Sequence, residues 1–353
     1  MKRILLTGGF SAGHVTPNLA LIPKLQALGY DVVYVGQDSG IEKDLVAQTG
    51  ITYDGIQGGK LRRYLDLENL TDIGRILYGT LQSYFIIRKR KPDVVFSKGG
   101  FVACPPVWAA WLNRVPIIIH ESDLSPGLAN RLSTPFAHKI CYSFPETKAY
   151  ISPEKGVHTG IPIRAELLSG SLPQGQALCG FTDDKPIVMI MGGSQGSVTI
   201  NNAIRDALDD LLPNFQVCHL CGRGNTDAAL EAVAGYKQFD YVDQALPDLL
   251  AMADVVISRA GATTIFELLT LKKPHVLIPL PLSASRGDQI LNAESFEKQG
   301  FSQVLAEENL NTSSLTQAVQ YVYENRDGFS QAMASSDAAT GLERVLSVIQ
   351  EAS

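Results

Sequence analysis

The chain has 353 residues, and its 30 basic against 36 acidic side chains leave a formal charge of −6. That balance offers no general basic surface for nucleic acid, and no stretch reaches the roughly 20 apolar residues a membrane-crossing helix needs. With 45% hydrophobic and 19% charged residues the composition is an ordinary globular one, and the length suits two domains.

The first predicted strand is Arg3–Thr7. With Met1 and Lys2 it is too short an apolar run for a signal peptide, so a cytoplasmic protein is expected. The strand enters Gly8-Gly9-Phe10-Ser11-Ala12-Gly13-His14, a tight turn opening a helix. The dinucleotide fingerprint G-x-G-x-x-G fails there, because Phe10 stands at its second glycine. A nicotinamide dehydrogenase is therefore disfavoured, although Asp38 follows the next predicted strand, Asp31–Val35, where a ribose acid could stand. A histidine at a helix N-terminus is disfavoured as the cation and can serve as a general base; His14 is such a candidate, or else a packing residue of the loop.

Between two basic clusters, Lys60–Tyr64 and Arg88–Lys91, lies the unusually apolar Ile73–Ile87. That pattern suits a peripheral surface on anionic lipid or a buried helix with a solvated end. The predicted strand Val94–Ser97 leads into Lys98-Gly99-Gly100-Phe101, whose glycines permit close backbone approach. Pro116–His120 leads into Glu121-Ser122-Asp123, which is either an acid–base cluster or a helix cap with internally satisfied groups. After Lys139–Tyr142, His158–Pro162 reads as an extended linker with a hinge near Gly160, and Ser169–Gln176 as a surface excursion.

A second series of strands then begins: Pro186–Met191, Gln216–Cys221, Phe239–Val242, Val255–Ser258 and Val276–Pro279. Its first turn, Gly192-Gly193-Ser194-Gln195-Gly196, has the character of a phosphate cradle without the Walker lysine. Its later turn, Ser258-Arg259-Ala260-Gly261, opens a helix at Ala262 with Glu267 a turn in, placed for ribose hydroxyls. The loop with Asp288 and Gln289 suits sugar hydroxyls. Strand–helix alternation in both series predicts an α/β chain of two Rossmann-like, doubly wound parallel sheets, with a nucleotide-sugar site in a cleft between them. The expected domains are 1–160, 161–336 and a C-terminal helix, 337–353, packing back on the first. Cys104, Cys141 and Cys179 are isolated, and no second pair joins Cys218 and Cys221 to complete a zinc site.

In order and spacing, Gly8–His14, Ser97–Phe101, His120–Asp123, Gly127–Asn130, Gly192–Gly196, Ser258–Gly261 and Asp288–Gln289 closely resemble the peptidoglycan N-acetylglucosaminyltransferases of glycosyltransferase family 28, in their Firmicute-like branch. The resemblance covers almost the whole chain. It implies a GT-B fold and inverting transfer of N-acetylglucosamine from UDP-GlcNAc to the 4-hydroxyl of undecaprenyl-diphospho-MurNAc-pentapeptide, converting lipid I to lipid II. It also implies no metal or other cofactor, in keeping with the lack of a D-x-D motif, and a peripheral place on the cytoplasmic face of the cell membrane. Carried over by position, Arg164 and Ser194 lie at the donor diphosphate, and Gln195 is a further donor-binding residue. Val242 and the turn Ala262, Thr263, Thr264, Ile265, Phe266 and Glu267 frame uridine, and Asp288 and Gln289 hold the sugar. Ser11, Ala12 and Gly13 close over the donor, whereas His14, Glu121, Asp123 and Asn130 face the acceptor. The implied base is His14, with Glu121 second, and the implied membrane patch is Ile73, Leu77, Leu81 and Trp111. The chain departs from the family at Phe10 and Ala12, where glycines are usual, and at Ile161, where asparagine is. Other UDP-sugar enzymes of the same fold (a glycolipid glycosyltransferase or a UDP-GlcNAc 2-epimerase) and a non-catalytic UDP-sugar-binding module are the alternatives.

Overall fold

The computed structural model describes residues 1–58, 68–182, 184–193 and 196–353, and the side chains of all these except 68–73 and 338–339. The chain divides into two compact units, Met1–Arg164 with Ala338–Ser353, and Ala165–Asp337.

The first unit holds a seven-stranded sheet: β1 (Arg3–Thr7), β2 (Asp31–Gln37), β3 (Thr52–Ile56), β4 (Val94–Ser97), β5 (Ile117–Glu121), β6 (Lys139–Tyr142) and β7 (Gly156–His158). Their spatial order is β3-β2-β1-β4-β5-β6-β7, and every pairing is parallel. The order reverses between β1 and β4, so the loops leaving these strands diverge there and open a crevice for ligand. The central strands carry buried apolar runs, Ile4–Leu6, Val94–Phe96 and Ile117–Ile119, because helices cover both faces. One face is closed by the helix Ala12–Ala27 together with the helix Gly341–Ala352, whose Leu342, Val345, Leu346, Val348 and Ile349 join Ile4, Leu6, Val15 and Leu21 in one core. The last helix crosses the chain at Ile161 with no room to spare: a Cβ on Gly341 would stand 2.4 Å from the Ile161 carbonyl oxygen.

The second unit repeats the plan with β8 (Ile187–Met191), β9 (Gln216–Leu220), β10 (Tyr236–Phe239), β11 (Val255–Ser258), β12 (His275–Leu277) and β13 (Gln303–Val304). The order is β10-β9-β8-β11-β12-β13, again all parallel, with its reversal between β8 and β11.

Four edge elements differ from the sequence expectation. β3, β7 and β13 were not legible as strands, and β10 lies three residues earlier than expected. Edge strands bury one face or less and need no apolar run; Thr52 and Lys237 are exposed. His158, read as linker, is the last residue of β7. The expected surface excursion at 169–176 instead contributes to a helix, Leu172–Cys179. Pro173 sits in its first turn, where no N–H partner is lost. Gly175 lets it press on the helix Leu246–Met252, for a Cβ would lie 2.4 Å from the Asp248 carbonyl oxygen. All five cysteines are buried and free. Cys218 lies 3.9 Å from Cys179 through its sulfur, whereas Cys221 follows β9 and meets Arg205.

Candidate active site

In the first unit the loops after β1, β4 and β5 are neighbours because the strands are. The turn after β1 begins the helix Ala12–Ala27, with Ser11 as its N-cap. Ser11 makes no capping hydrogen bond; its hydroxyl lies 2.9 Å from His14 Nδ1. If Nδ1–H donates to that oxygen, Nε2 is left as the basic nitrogen. His14 is half-buried.

Three buried side chains secure this turn from behind. Tyr34 donates to the Gly8 carbonyl at 2.7 Å, and Asn18 donates to the Thr7 carbonyl at 3.2 Å. Glu42 accepts from the backbone N–H groups of Phe10 and Gln37 at 3.4 and 3.3 Å. Burial, with the Glu42 charge adding to it, raises the Tyr34 phenol far above its ordinary range, so it stays a donor. Phe10 holds a left-handed φ of +68°, at the position where the sequence resemblance leads one to expect glycine. The structure thus keeps the turn by tethering it rather than by glycine at that position.

The loop after β4 presses against this turn. A Cβ on Gly8 would be 3.0 Å from Lys98 Cβ and 2.7 Å from the His14 carbonyl oxygen. Gly100 has φ +82°, and a Cβ there would meet the Gly9 carbonyl oxygen at 2.6 Å. Lys98 itself is only 1% exposed, and its ammonium donates to the Ser122 hydroxyl. Burial lowers its pKa to about 8, against the opposing pull of Glu121 and Asp123.

The β5 loop is dominated by Glu121. Its carboxylate accepts from Asp123 N at 3.1 Å, Gly127 N at 3.1 Å and Asn130 Nδ2 at 2.8 Å. Asn130 Nδ2 also reaches the His120 carbonyl at 3.2 Å. Burial, then the neighbouring Asp123, push the Glu121 carboxyl upward, and these donors oppose that. His120 is fully buried and neutral: Nε2–H donates to the Gly160 carbonyl at 2.8 Å, and burial and Lys98 hold its pKa well below the usual histidine value. Of the two readings open for this loop, the internally satisfied one describes Glu121, whereas Asp123 is partly exposed.

In the second unit the loops after β8, β11 and β12 converge on Arg259. Its guanidinium donates to Ser197 Oγ at 2.7 Å and to the Ile278 and Pro279 carbonyls at 3.1 and 3.3 Å, and it pairs with Glu307. Ser197 in turn caps the helix Val198–Asp206 through Ile200 N. Buried Asn292 donates to the Ala260 carbonyl at 3.3 Å. The helix Ala262–Leu271 therefore starts from a braced turn, with Gly261 as N-cap bringing no side-chain acceptor. Ala262, Ile265, Phe266 and Glu267 are buried, and Thr263 and Thr264 half-buried. Gln289 accepts from Leu280 N at 3.2 Å through its carbonyl oxygen, and Asp288 lies 3.4 Å from Arg286 Nε. Val242 is half-buried, beyond edge strand β10, and Arg164 ends the first unit. Ser194 and Gln195 lie outside the described residues.

The arrangement is duplicated parallel-sheet units, each with a braced glycine turn at its strand reversal, and the sequence matches follow the same division. Residues 4–142 match the glycosyltransferase family 28 N-terminal domain, and residues 187–349 its C-terminal domain. The chain belongs to glycosyltransferase family 28. Among family-28 relatives, the UDP-N-acetylglucosamine–N-acetylmuramyl-(pentapeptide) pyrophosphoryl-undecaprenol N-acetylglucosamine transferase of Clostridium tetani is 53% identical over 350 residues, covering 99% of this chain and 98% of its own. The same-named transferase of Geobacillus kaustophilus is 52% identical over 351 residues, with 99% and 98% covered. Among solved structures, MurG of Acinetobacter baumannii superposes with a TM-score of 0.78 at 25% identity, covering 99% of this chain and all of that one. A UDP-GlcNAc 2-epimerase from Neisseria meningitidis reaches a TM-score of 0.71 at 13% identity, covering 99% of this chain and all of its own, a likeness of fold alone. The family-28 chain is a glycosyltransferase of GT-B architecture.

Sequence reasoning missed Asn18, Tyr34 and Glu42, which hold the loops without standing in a motif, and gave no bracing role to Arg259 within the Ser258–Gly261 turn. Lys98 was legible only as part of a glycine loop. A charged residue at the carboxyl end of a buried strand was the available signal for both Lys98 and Arg259.

Proposed function

We propose that this family-28 enzyme transfers N-acetylglucosamine from UDP-GlcNAc to the 4-hydroxyl of undecaprenyl-diphospho-MurNAc-pentapeptide, with inversion, forming the disaccharide lipid of peptidoglycan synthesis and releasing UDP. The observation that carries this reading is the 53% identity, across 99% of the chain, to a transferase named for that donor and acceptor.

The chemistry assigns roles to the loops. Inversion requires the acceptor oxygen to attack the anomeric carbon opposite the departing UDP. A base must take the acceptor proton as that bond forms, and His14 Nε2 is that base when Nδ1–H donates a hydrogen bond to Ser11 Oγ. Charge developing on the leaving diphosphate is met by backbone N–H groups at the glycine turns and by Arg164, with Ser194 assigned there by position and Gln195 assigned to the donor. Glu267 accepts from ribose hydroxyls, the Ala262–Phe266 turn and Val242 frame the base, and Asp288 with Gln289 hold the sugar. Asp123 and Asn130 belong to the acceptor loop. Glu121 is assigned to positioning, because its oxygens already receive three hydrogen bonds.

The enzyme is further assigned to the cytoplasmic face of the membrane as a peripheral protein. Among the described residues no helix is long and apolar enough to cross a membrane. On the helix Glu68–Arg90, Leu77, Leu81 and Phe85 are 64%, 52% and 60% exposed, and Trp111 is exposed on the neighbouring Cys104–Leu112 helix. An apolar stripe ending in Arg88 and Lys89 suits an anionic lipid surface. Ile73, assigned to the same patch, has its side chain outside the described set.

The deciding experiment is acceptor-dependent UDP release with a short-chain lipid I analogue, for wild type and His14→Ala. Release in the wild type, reduced by about 10²-fold or more in the variant with donor affinity kept, is expected for loss of a general base. Donor binding without release under any acceptor would sink the transferase reading, and accumulation of an epimerised sugar nucleotide would replace it.

A further inference from the structure

Lys98 stands apart from the donor and acceptor groups assigned above. A buried ammonium costs several kcal/mol unless it is paired, and a hydrophobic side chain would fill the same position without that cost. This one lies in a loop fixed on two sides. Its backbone N–H donates to the Thr7 carbonyl at 2.8 Å, where the His14 turn begins, and its Cβ packs on Gly8. Its ammonium reaches across to Ser122, in the turn that follows Glu121. The groups facing it are Glu121, Asp123 and neutral His120 from β5 and its loop, and the Cys141 thiol from β6. Two buried acceptors in this region, His120 Nδ1 and Asn130 Oδ1, have no hydrogen-bond partner. The ammonium is a buried cation held on the turn that carries Glu121 and Asp123.

We propose that Lys98 is a positioning residue for transfer: its charge pins the Ser122–Asp123 turn against the turn that carries His14, keeping the acceptor loops in register. The proposal rests on the transferase reading above. It predicts that removing the charge impairs use of the acceptor and spares the donor, whose assigned loops lie chiefly in the second unit. It also predicts a limit on the alkaline side, because with its proton gone Lys98 no longer balances Glu121 and Asp123. The midpoint of that loss should fall near the Lys98 value of about 8.

The test uses the full chain as wild type, Lys98→Met and Lys98→Arg, with UDP-GlcNAc and a short-chain lipid I analogue, across the neutral and alkaline range. Wild-type kcat/KM for acceptor should fall on the alkaline side. Lys98→Met should lower that parameter by about tenfold or more at neutral pH, the scale of a misplaced reacting group, and its profile should lose the alkaline limb. Calorimetric affinity for UDP-GlcNAc should stay within about twofold of wild type. Lys98→Arg keeps a charge that does not titrate in this range, so it should recover part of the activity and move the limb to higher pH. The proposal is overturned by wild-type acceptor kinetics in Lys98→Met, by equal losses of donor and acceptor binding, or by an unmoved limb in Lys98→Arg. If neither variant folds, a wild-type rate that stays flat through the alkaline range overturns it alone. Absence of acceptor-dependent release from the wild type at every pH is a different result, and it removes the transferase reading together with this proposal.

Discussion

At the scale of single residues, burial separates groups that chemistry alone would treat alike. His14 and Glu121 both close a strand-end loop, but His14 is half-buried beside one hydroxyl, whereas Glu121 is 5% exposed and receives three N–H donors. Replacing Glu121 by glutamine keeps the shape and turns an amide NH₂ toward at least one of those donors. The expected cost is about 1–3 kcal/mol, the penalty of a buried donor left without an acceptor, seen as a lower Tm with transfer reduced mainly through acceptor KM. A normal Tm with kcat down by about 10²-fold or more would instead make Glu121 a reacting group. His14 and Glu267 could be put forward from sequence because each stands in its own local signal, a glycine turn opening a helix. The bracing contacts of Glu42 and Arg259 could not be: Glu42 serves Phe10 from 32 residues away, and Arg259 serves Ser197 from 62. No window of sequence holds both partners.

At the scale of elements, the parallel strands of the sheet centres announce themselves, and the fold class follows from them. The helix Glu68–Arg90 illustrates where sequence stops. Its apolar spacing allowed either a buried helix or a lipid-facing one, and the helix buries one row of side chains while exposing another. Ile76, Ser83 and Ile87 are buried, whereas Leu77, Leu81 and Phe85 form an outward row at four-residue spacing. Only the position of the Cys104–Leu112 helix decides which face is covered. Leu81→Glu combined with Phe85→Glu should leave Tm and transfer to a water-soluble acceptor nearly unchanged. Both side chains are more than half exposed, and surface substitutions of that kind usually stay within about 0.5 kcal/mol. Co-sedimentation with vesicles containing anionic lipid should be lost. Wild-type co-sedimentation by the double variant would remove this stripe as the membrane contact.

At the scale of the whole chain, the second unit carries a built-in sensitivity to acid. His275 on β12 is fully buried, and burial lowers its pKa to about 4; His219 on β9, held by Tyr236 and Asn201, is lowered to about 3. Above an unfolded value of ~6.5 both states are neutral and neither histidine matters. Below it the unfolded chain binds the protons first, so stability falls as pH drops, and the fall from His275 is complete below about 4. At about 1.4 kcal/mol for each pH unit separating the two values, His275 alone accounts for roughly 3 kcal/mol. Thermal unfolding followed from neutral pH downward should show this decline, shallower in His275→Gln; a Tm that does not move over the range would count against it.

The helix Gly341–Ala352 gives the chain an order in time as well as in space. It completes a core whose other members include Ile4, Leu6, Val15 and Leu21, yet all of Ala165–Asp337 is translated in between. During synthesis the second unit can fold as soon as it emerges, while the unit begun first waits with an apolar face open to water. The core of the first unit therefore closes only after the ribosome has added the helix that completes it.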